Sequence, residues 1–251
     1  MIMKRELQIS LITIILIISI ISCNKTPLTN GDIITETRSL SDFNVINIDN
    51  NIDITLIKSD TCMIEITSGE NLMKNIISDV CDSSLYVRNE NNCNWLRSYD
   101  CPLTAKIYYK NDITSINFNS VGDLLSDGYL NHNTVERFDL NLIDGSGYIN
   151  LTLLCDSIFV TSDEGTSQLK LQGNTDYAYF NWTTYGGISA EHFQASTMKV
   201  YSNSDNDIYV YCTEHLYSYI FKMGNVYYKG NPEIESHISP LARGLLLPLD
   251  F

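Results

Sequence analysis

Positive charge is scarce in this 251-residue chain: 16 Lys and Arg stand against 30 Asp and Glu, for a formal net charge of −14. Phosphate backbones are held by clustered Lys and Arg, and no basic stripe exists here, so no nucleic-acid partner is expected. Alanine is rare, proline numbers only 5 and tryptophan only 2. No apolar run reaches the roughly 20 residues of a membrane-spanning helix. The chain has no Cys-x2-Cys pair, no two-His helical spacing, no phosphate-binding loop and no nucleophile elbow. Each is the local signature of a chemistry: structural zinc, metal catalysis, nucleotide binding, acyl transfer. No metal and no cofactor are expected.

What is present points to strands. The apolar share is 44%, too high for a disordered chain, and 16 tyrosines accompany abundant Ile and Asn. Tyrosine and isoleucine favour strands, and Asn favours turns.

Lys4 and Arg5 precede an apolar run from Leu7 to Ile21, which ends at Ser22-Cys23. A basic start, a core of roughly 15 apolar residues and a small residue before the cut make a secretory signal. Ser22-Cys23 resembles a bacterial lipobox, with Cys23 becoming the lipidated first residue; the alternative is an ordinary cleaved signal beside a cysteine. Several acyl chains anchor a protein firmly where one does not. The expected layout is 1–22 signal peptide, 23–35 lipidated Cys and tether, 36–245 β-helix domain, and 246–251 C-terminal tail. The expected location is the cell envelope, as an outer-membrane lipoprotein, periplasmic or surface-exposed.

Six further cysteines allow fifteen pairings. Cys93 and Cys101, eight positions apart, bound a loop that a bridge would close. Cys62 and Cys81 flank strand-like segments and form the second candidate disulfide. Cys155 and Cys212 are expected as buried free thiols.

From about residue 110 a pattern recurs, in which a Gly, Ser, Asn or Asp cluster leads into an apolar residue that opens a strand. The anchors Leu124, Ile149, Leu169, Ile188, Ile208 and Val226 are spaced 25, 20, 19, 20 and 18. Two short strands and a tight turn every 20 residues mark a β-solenoid, although hairpins of similar spacing also suit a β-sandwich. The expectation is an all-β, single-stranded right-handed β-helix with a capping N-terminal strand region. Asn47 to Ile57 is expected as a hairpin, and Pro232 to Phe251 as the cover of the far end.

The start Arg38, Phe43, Val45, the Gly145-Ser146-Gly147-Tyr148-Ile149 repeat and the closing Val226-Tyr227-Tyr228-Lys229-Gly230-Asn231-Pro232 resemble the head GIN domain family of auto-transporter adhesins. The resemblance covers roughly residues 36–245. It implies a right-handed β-helix in Bacteroides-type envelope lipoproteins, with no established enzymatic activity.

Asn174-Thr175-Asp176 matches a tripeptide of pectin-hydrolysing β-helices, but the paired carboxylates that such catalysis needs are absent from the motif. It reads as a turn after Gly173, and Asp163-Glu164 and Asp205-Asn206-Asp207 read as turns rather than calcium ligands. The binding-face candidates are Tyr177, Tyr179, Trp182 and Tyr185, with Tyr209, Tyr211, Tyr217 and Tyr219 farther on; stacking that merely stabilises the rod is the alternative. The function expected is a non-enzymatic envelope lipoprotein that presents a β-helix to a glycan or protein ligand. A periplasmic scaffold or partner of an outer-membrane protein is the alternative, and a carbohydrate-active enzyme the third reading. Cys23→Ser is expected to abolish incorporation of labelled fatty acid in growing cells; labelling that persists would mean that Cys23 is not the anchor.

Overall fold

A computed structural model describes residues 29–91, 101–131 and 135–249. Among these residues the elements follow in chain order as β1 (Ile33–Ser39), β2 (Val45–Asn50), β3 (Asp53–Lys58), β4 (Met63–Gly69), the single helical turn α1 (Glu70–Met73), β5 (Ile76–Cys81) and β6 (Ser84–Asn89). Then come β7 (Thr104–Tyr109), β8 (Ser115–Ser120), β9 (Leu124–Tyr129) and β10 (Val135–Leu142). Four long strands follow: β11 (Tyr148–Ser162), β12 (Gln168–Trp182), β13 (Ile188–Ser202) and β14 (Ile208–Ile220). The chain closes with β15 (Val226–Lys229), β16 (Glu233–Ile238) and β17 (Leu246–Pro248).

The pairing makes a β-solenoid with two walls. The first wall stacks β5, β6, β2, β8, β10, the C-terminal halves of β11 to β14, and β16. The second stacks β1, β4, β7, β3, β9, the N-terminal halves of β11 to β14, β15 and β17. Rungs about 4.8 Å apart make a rod roughly 40 Å long. Alternate residues point inward, and the inner ones are almost all apolar. Ile54, Leu124, Ile149, Leu169, Ile188, Ile208 and Val226 form one buried column in unbroken register. The repeat expected from sequence is this column.

The N-terminal third departs from simple coiling. β2 lies between β6 and β8, and β3 lies between β7 and β9. The first parallel rung in sequence is therefore slotted between two rungs that form later in the chain. Asn47 to Ile57 is not a hairpin: β2 and β3 occupy different walls, and Asn50 (φ 73°) turns the corner between them. Antiparallel strands finish this end, β5 on the first wall and β1 and β4 on the second.

At the far end a strand with Leu246 and Leu247 lies over β15, as expected, but among the described residues β16 beside it stays open. Residues 233–238 and 246–248 form one more rung, with β16 on β14 and β17 on β15. All six residues of β16 are exposed. The segment expected as a tail thus contributes β17 to the solenoid.

At one corner the backbones of successive rungs touch. A Cβ on Gly147 would collide with the carbonyl oxygen of Gly122, and one on Gly186 with that of Ser167. Only glycine permits this approach. Gly147→Ala is expected to lower unfolding free energy by about 2–4 kcal/mol, since a carbonyl of the neighbouring rung must shift. Gly128→Ala meets no atom within 4 Å, although φ is +78°, and costs about 1 kcal/mol. Equal losses in urea unfolding would contradict the corner contact.

Candidate lateral binding face

Strand parity decides which aromatic rings reach the surface. In β12, Ala178, Phe180 and Trp182 point inward and are buried, whereas Tyr177 and Tyr179 point outward and are half-buried. Register then aligns outward rings from successive rungs. Phe159 lies opposite Tyr179, Tyr201 opposite Tyr219, and Tyr219 opposite His237.

The rings make a continuous ladder across the first wall. Centroids are 5.7 Å apart for Phe159–Tyr179 and for Tyr179–Tyr201, and 4.6 Å for Tyr201–Tyr219, whose planes differ by only 7°. Tyr177 joins through Phe159 at 5.9 Å, and His237 closes the row 6.4 Å from Tyr219. Arg137 sits 3.9 Å above Phe159 and is held by a two-pronged ion pair to Asp139. Lys199 lies 5.3 Å and 5.6 Å from the Tyr201 and Tyr219 ring centres. The Tyr201 hydroxyl beside Lys199 holds its ammonium above the usual lysine range, so it stays charged. Partial burial raises the Tyr177 phenol, which stays neutral at physiological pH. Both cations contribute cation–π attraction in a chain otherwise short of positive charge.

Toward the N-terminal end the same outward column carries amides instead. Asn117 donates to Asn47 at 2.8 Å, Asn141 donates to Asn117 at 2.9 Å, and Thr161 donates to Asn141 at 2.8 Å. The rod thus has an amide-laddered half and an aromatic half.

Of the four binding-face residues expected from sequence, the structure brings Tyr177 and Tyr179 together on this face. Trp182 is a correction. It is fully buried, its inward parity points it at the core, and its indole N–H donates to the Gly186 carbonyl at 2.8 Å. Small Ser202 lies opposite it on the next strand and makes room. Tyr185 is 63% exposed but sits in the glycine corner, under Lys222, away from the ladder. Phe159, Tyr201, Arg137 and Lys199 were missed by sequence reasoning. Their signal was common parity at one-rung spacing.

A family model described as "Putative auto-transporter adhesin, head GIN domain" matches residues 42–232. The chain belongs to that family. Three solved structures share the fold of this head GIN domain chain. One is a putative adhesin from Bacteroides fragilis, 22% identical over 88% of this chain and 99% of its own, with a TM-score of 0.78. A putative adhesin from Parabacteroides distasonis is 18% identical over 88% and 99%, with a TM-score of 0.63. A putative lipid binding protein from the same species is 21% identical over 88% and 98%, with a TM-score of 0.60. No curated protein matches the chain. The names of the family and of these structures describe adhesins or a lipid-binding protein rather than enzymes.

The other residues singled out in this head GIN domain scatter. The Cys62–Cys81 disulfide is not formed: Cys62 donates to Asp42 at 3.6 Å and Cys81 to Asp82 at 3.7 Å. Cys62 leads into β4 on the second wall, while Cys81 ends β5 on the first. Cys93, the partner expected for Cys101, lies outside the described residues, as does Cys23. Cys101 is free. Cys155 and Cys212 are buried free thiols, and burial pushes Cys155 up to about 11.

Asn174-Thr175-Asp176 lies within β12 rather than in a turn, just after Gly173 at φ 115°, on the corner where the strand bends from one wall to the other. This corner opens a cleft of about 650 Å³, lined by Tyr129, Gln172, Asn174, Asp176, His192 and Gln194 among others. Among the described residues Asp176 is its one carboxylate, so they do not assemble the pair needed for glycosidic acid–base chemistry there. Among the described residues no three His, Cys, Asp or Glu side chains cluster as a metal site.

Trp182→Ala is expected to cost about 3–5 kcal/mol in urea unfolding, as for other large buried side chains. Tyr185→Ala should stay within about 0.5 kcal/mol. The reverse ranking would place the indole outside.

Proposed function

We propose that this chain is a non-enzymatic, lipid-anchored protein of the cell envelope that binds a protein partner through the aromatic face of the first wall. The observation that carries the reading is the ladder from Phe159 through Tyr179, Tyr201 and Tyr219 to His237, flanked by Arg137 and Lys199. Tyrosine and arginine supply large contact area at low entropic cost and recur as anchors of protein interfaces. The geometry favours a protein over a glycan here. Tyr201 and Tyr219 cover each other's faces, so edges and hydroxyls are what they present, whereas a sugar ring stacks on an open aromatic face. Family membership supports a binding role and an envelope location. Ser22-Cys23 at the end of the apolar run supports the lipid anchor.

One observation favours a glycan at a different place. The corner cleft is lined by amide, carboxylate, imidazole and hydroxyl groups, with Tyr129 half-exposed at its edge. Such groups hydrogen-bond a polyol and offer little to an acyl chain.

Two double variants separate the readings: Tyr201→Ala/Tyr219→Ala and Tyr129→Ala/Asp176→Asn. Binding is read as envelope or host proteins crosslinked to the anchored chain on cells, and in parallel as retention on a glycan array. The ladder variant is expected to lose protein capture by about thirtyfold, the scale of interface anchors, with the cleft variant unchanged. Capture that survives the ladder variant sinks the aromatic-face reading. Glycan retention lost only in the cleft variant would move the function to the corner.

A further inference from the structure

Solenoid ends are ordinarily closed by a polar cap, because the last rung otherwise leaves its strand edge and its inward apolar residues open. The N-terminal end is finished by antiparallel strands; among the described residues nothing lies over β16 at the other end. Its inward positions are Ile234, Ser236 and Ile238, opposite Leu216, Ser218 and Ile220 of β14. Ile234 is 45% and Ile238 41% exposed, although their counterparts one rung below are buried. In the same last coil Leu241 is 91% exposed and Leu245 50%.

The sequence of this edge is self-complementary. Ser239 N donates back to Ile220 O, so by strand alternation the N–H and C=O groups of His237 and Glu235 face β14. Those of Ile234, Ser236 and Ile238 then face outward from the sheet, unpaired. A twofold axis through Ser236 would lay a second β16 antiparallel against the first. Ser236 then pairs with its own copy and Ile234 with the partner copy's Ile238, so that the three residues with outward amides supply six backbone hydrogen bonds. On the outer face the same register sets Glu235 against the other copy's His237 and sets no Glu against Glu. Both copies keep their apolar residues on the interior side, so the two cores join. Shifting the pairing by one residue would turn isoleucines outward and lose this match.

We propose that β16 is a homotypic docking edge, through which two copies of this chain join end to end by antiparallel β-augmentation. The overall charge of −14 opposes association. At physiological salt its reach falls to about 8 Å, and at the joint itself each Glu235 faces the imidazole of the other copy's His237, an N–H donor, rather than a second carboxylate. The proposal shares only His237 with the aromatic face, which otherwise lies along the side of the rod.

The test uses the full chain in detergent, with protein mass taken from light scattering after subtraction of the micelle. Wild type is expected at twice the chain mass. Ile234→Lys/Ile238→Lys should return it to the single-chain mass, with association weakened at least about a hundredfold, since each change acts twice across a twofold axis. Both residues are exposed, so an unchanged thermal melt verifies folding. Ser236→Cys, on the axis, treated with copper–phenanthroline and oxygen as the two-electron oxidant, is expected to give one extra band beyond wild type, a disulfide dimer that vanishes on reduction and in the double-lysine background. A chain that stays monomeric at about 100 µM, a dimer that survives the double variant, or Ser236→Cys crosslinking to a different protein instead of itself would each overturn the proposal.

Discussion

Every level of this molecule depends on the direct stacking of one rung's inward side chain on the next. The column from Ile54 through Leu124, Ile149, Leu169, Ile188 and Ile208 to Val226 is both the core and the ruler. Burial of these residues fixes register, because a slip of one position would turn the whole apolar set to water. Fixed register in turn aligns everything on the outside. The amide ladder of Asn47, Asn117 and Asn141 and the ring ladder of Phe159, Tyr179, Tyr201 and Tyr219 are by-products of an interior that permits one alignment only. The glycine corner serves the same end, since backbones could not stack so closely with a Cβ at Gly147 or Gly186.

The solenoid was legible because its period is written in local chemistry: a turn-forming cluster followed by an apolar anchor, again and again. The order of the first rungs was not. β2 meets β8 through partners 70 positions apart, as in Val45 with Ser115, and nothing local in either strand names the other. The same gap between local and spatial neighbourhood explains Cys62 and Cys81, which both flank strands but belong to different walls. Trp182 is a different case. Its side of the strand was written in the alternation Ala178, Phe180, Trp182, and grouping it with Tyr177 and Tyr179 overlooked that parity. Tyr201 and Phe159 escaped because a ladder is visible only once register is known.

The two sides of the rod are chemically unlike. Along the first wall, rings and two cations gather on a chain that is otherwise acidic; at the corner where β12 bends, polar groups line an open cleft with one carboxylate. The first suits a broad, flat contact and the second a small polar ligand. Neither brings together the paired acids or metal ligands of a hydrolytic centre among the described residues.

The slotted first rung changes how the rod bears load. In a solenoid wound in simple order the terminal coil has a neighbour on one side only, and tension on its end peels coils away singly. Here β1 gives way to β2 and β3, each clasped by strands on both sides. Once β1 is stripped from β4, tension entering through the N-terminal segment must shear β2 from β6 and from β8 together before that rung unwinds. The topology is a mechanical latch at the N-terminal end of the solenoid.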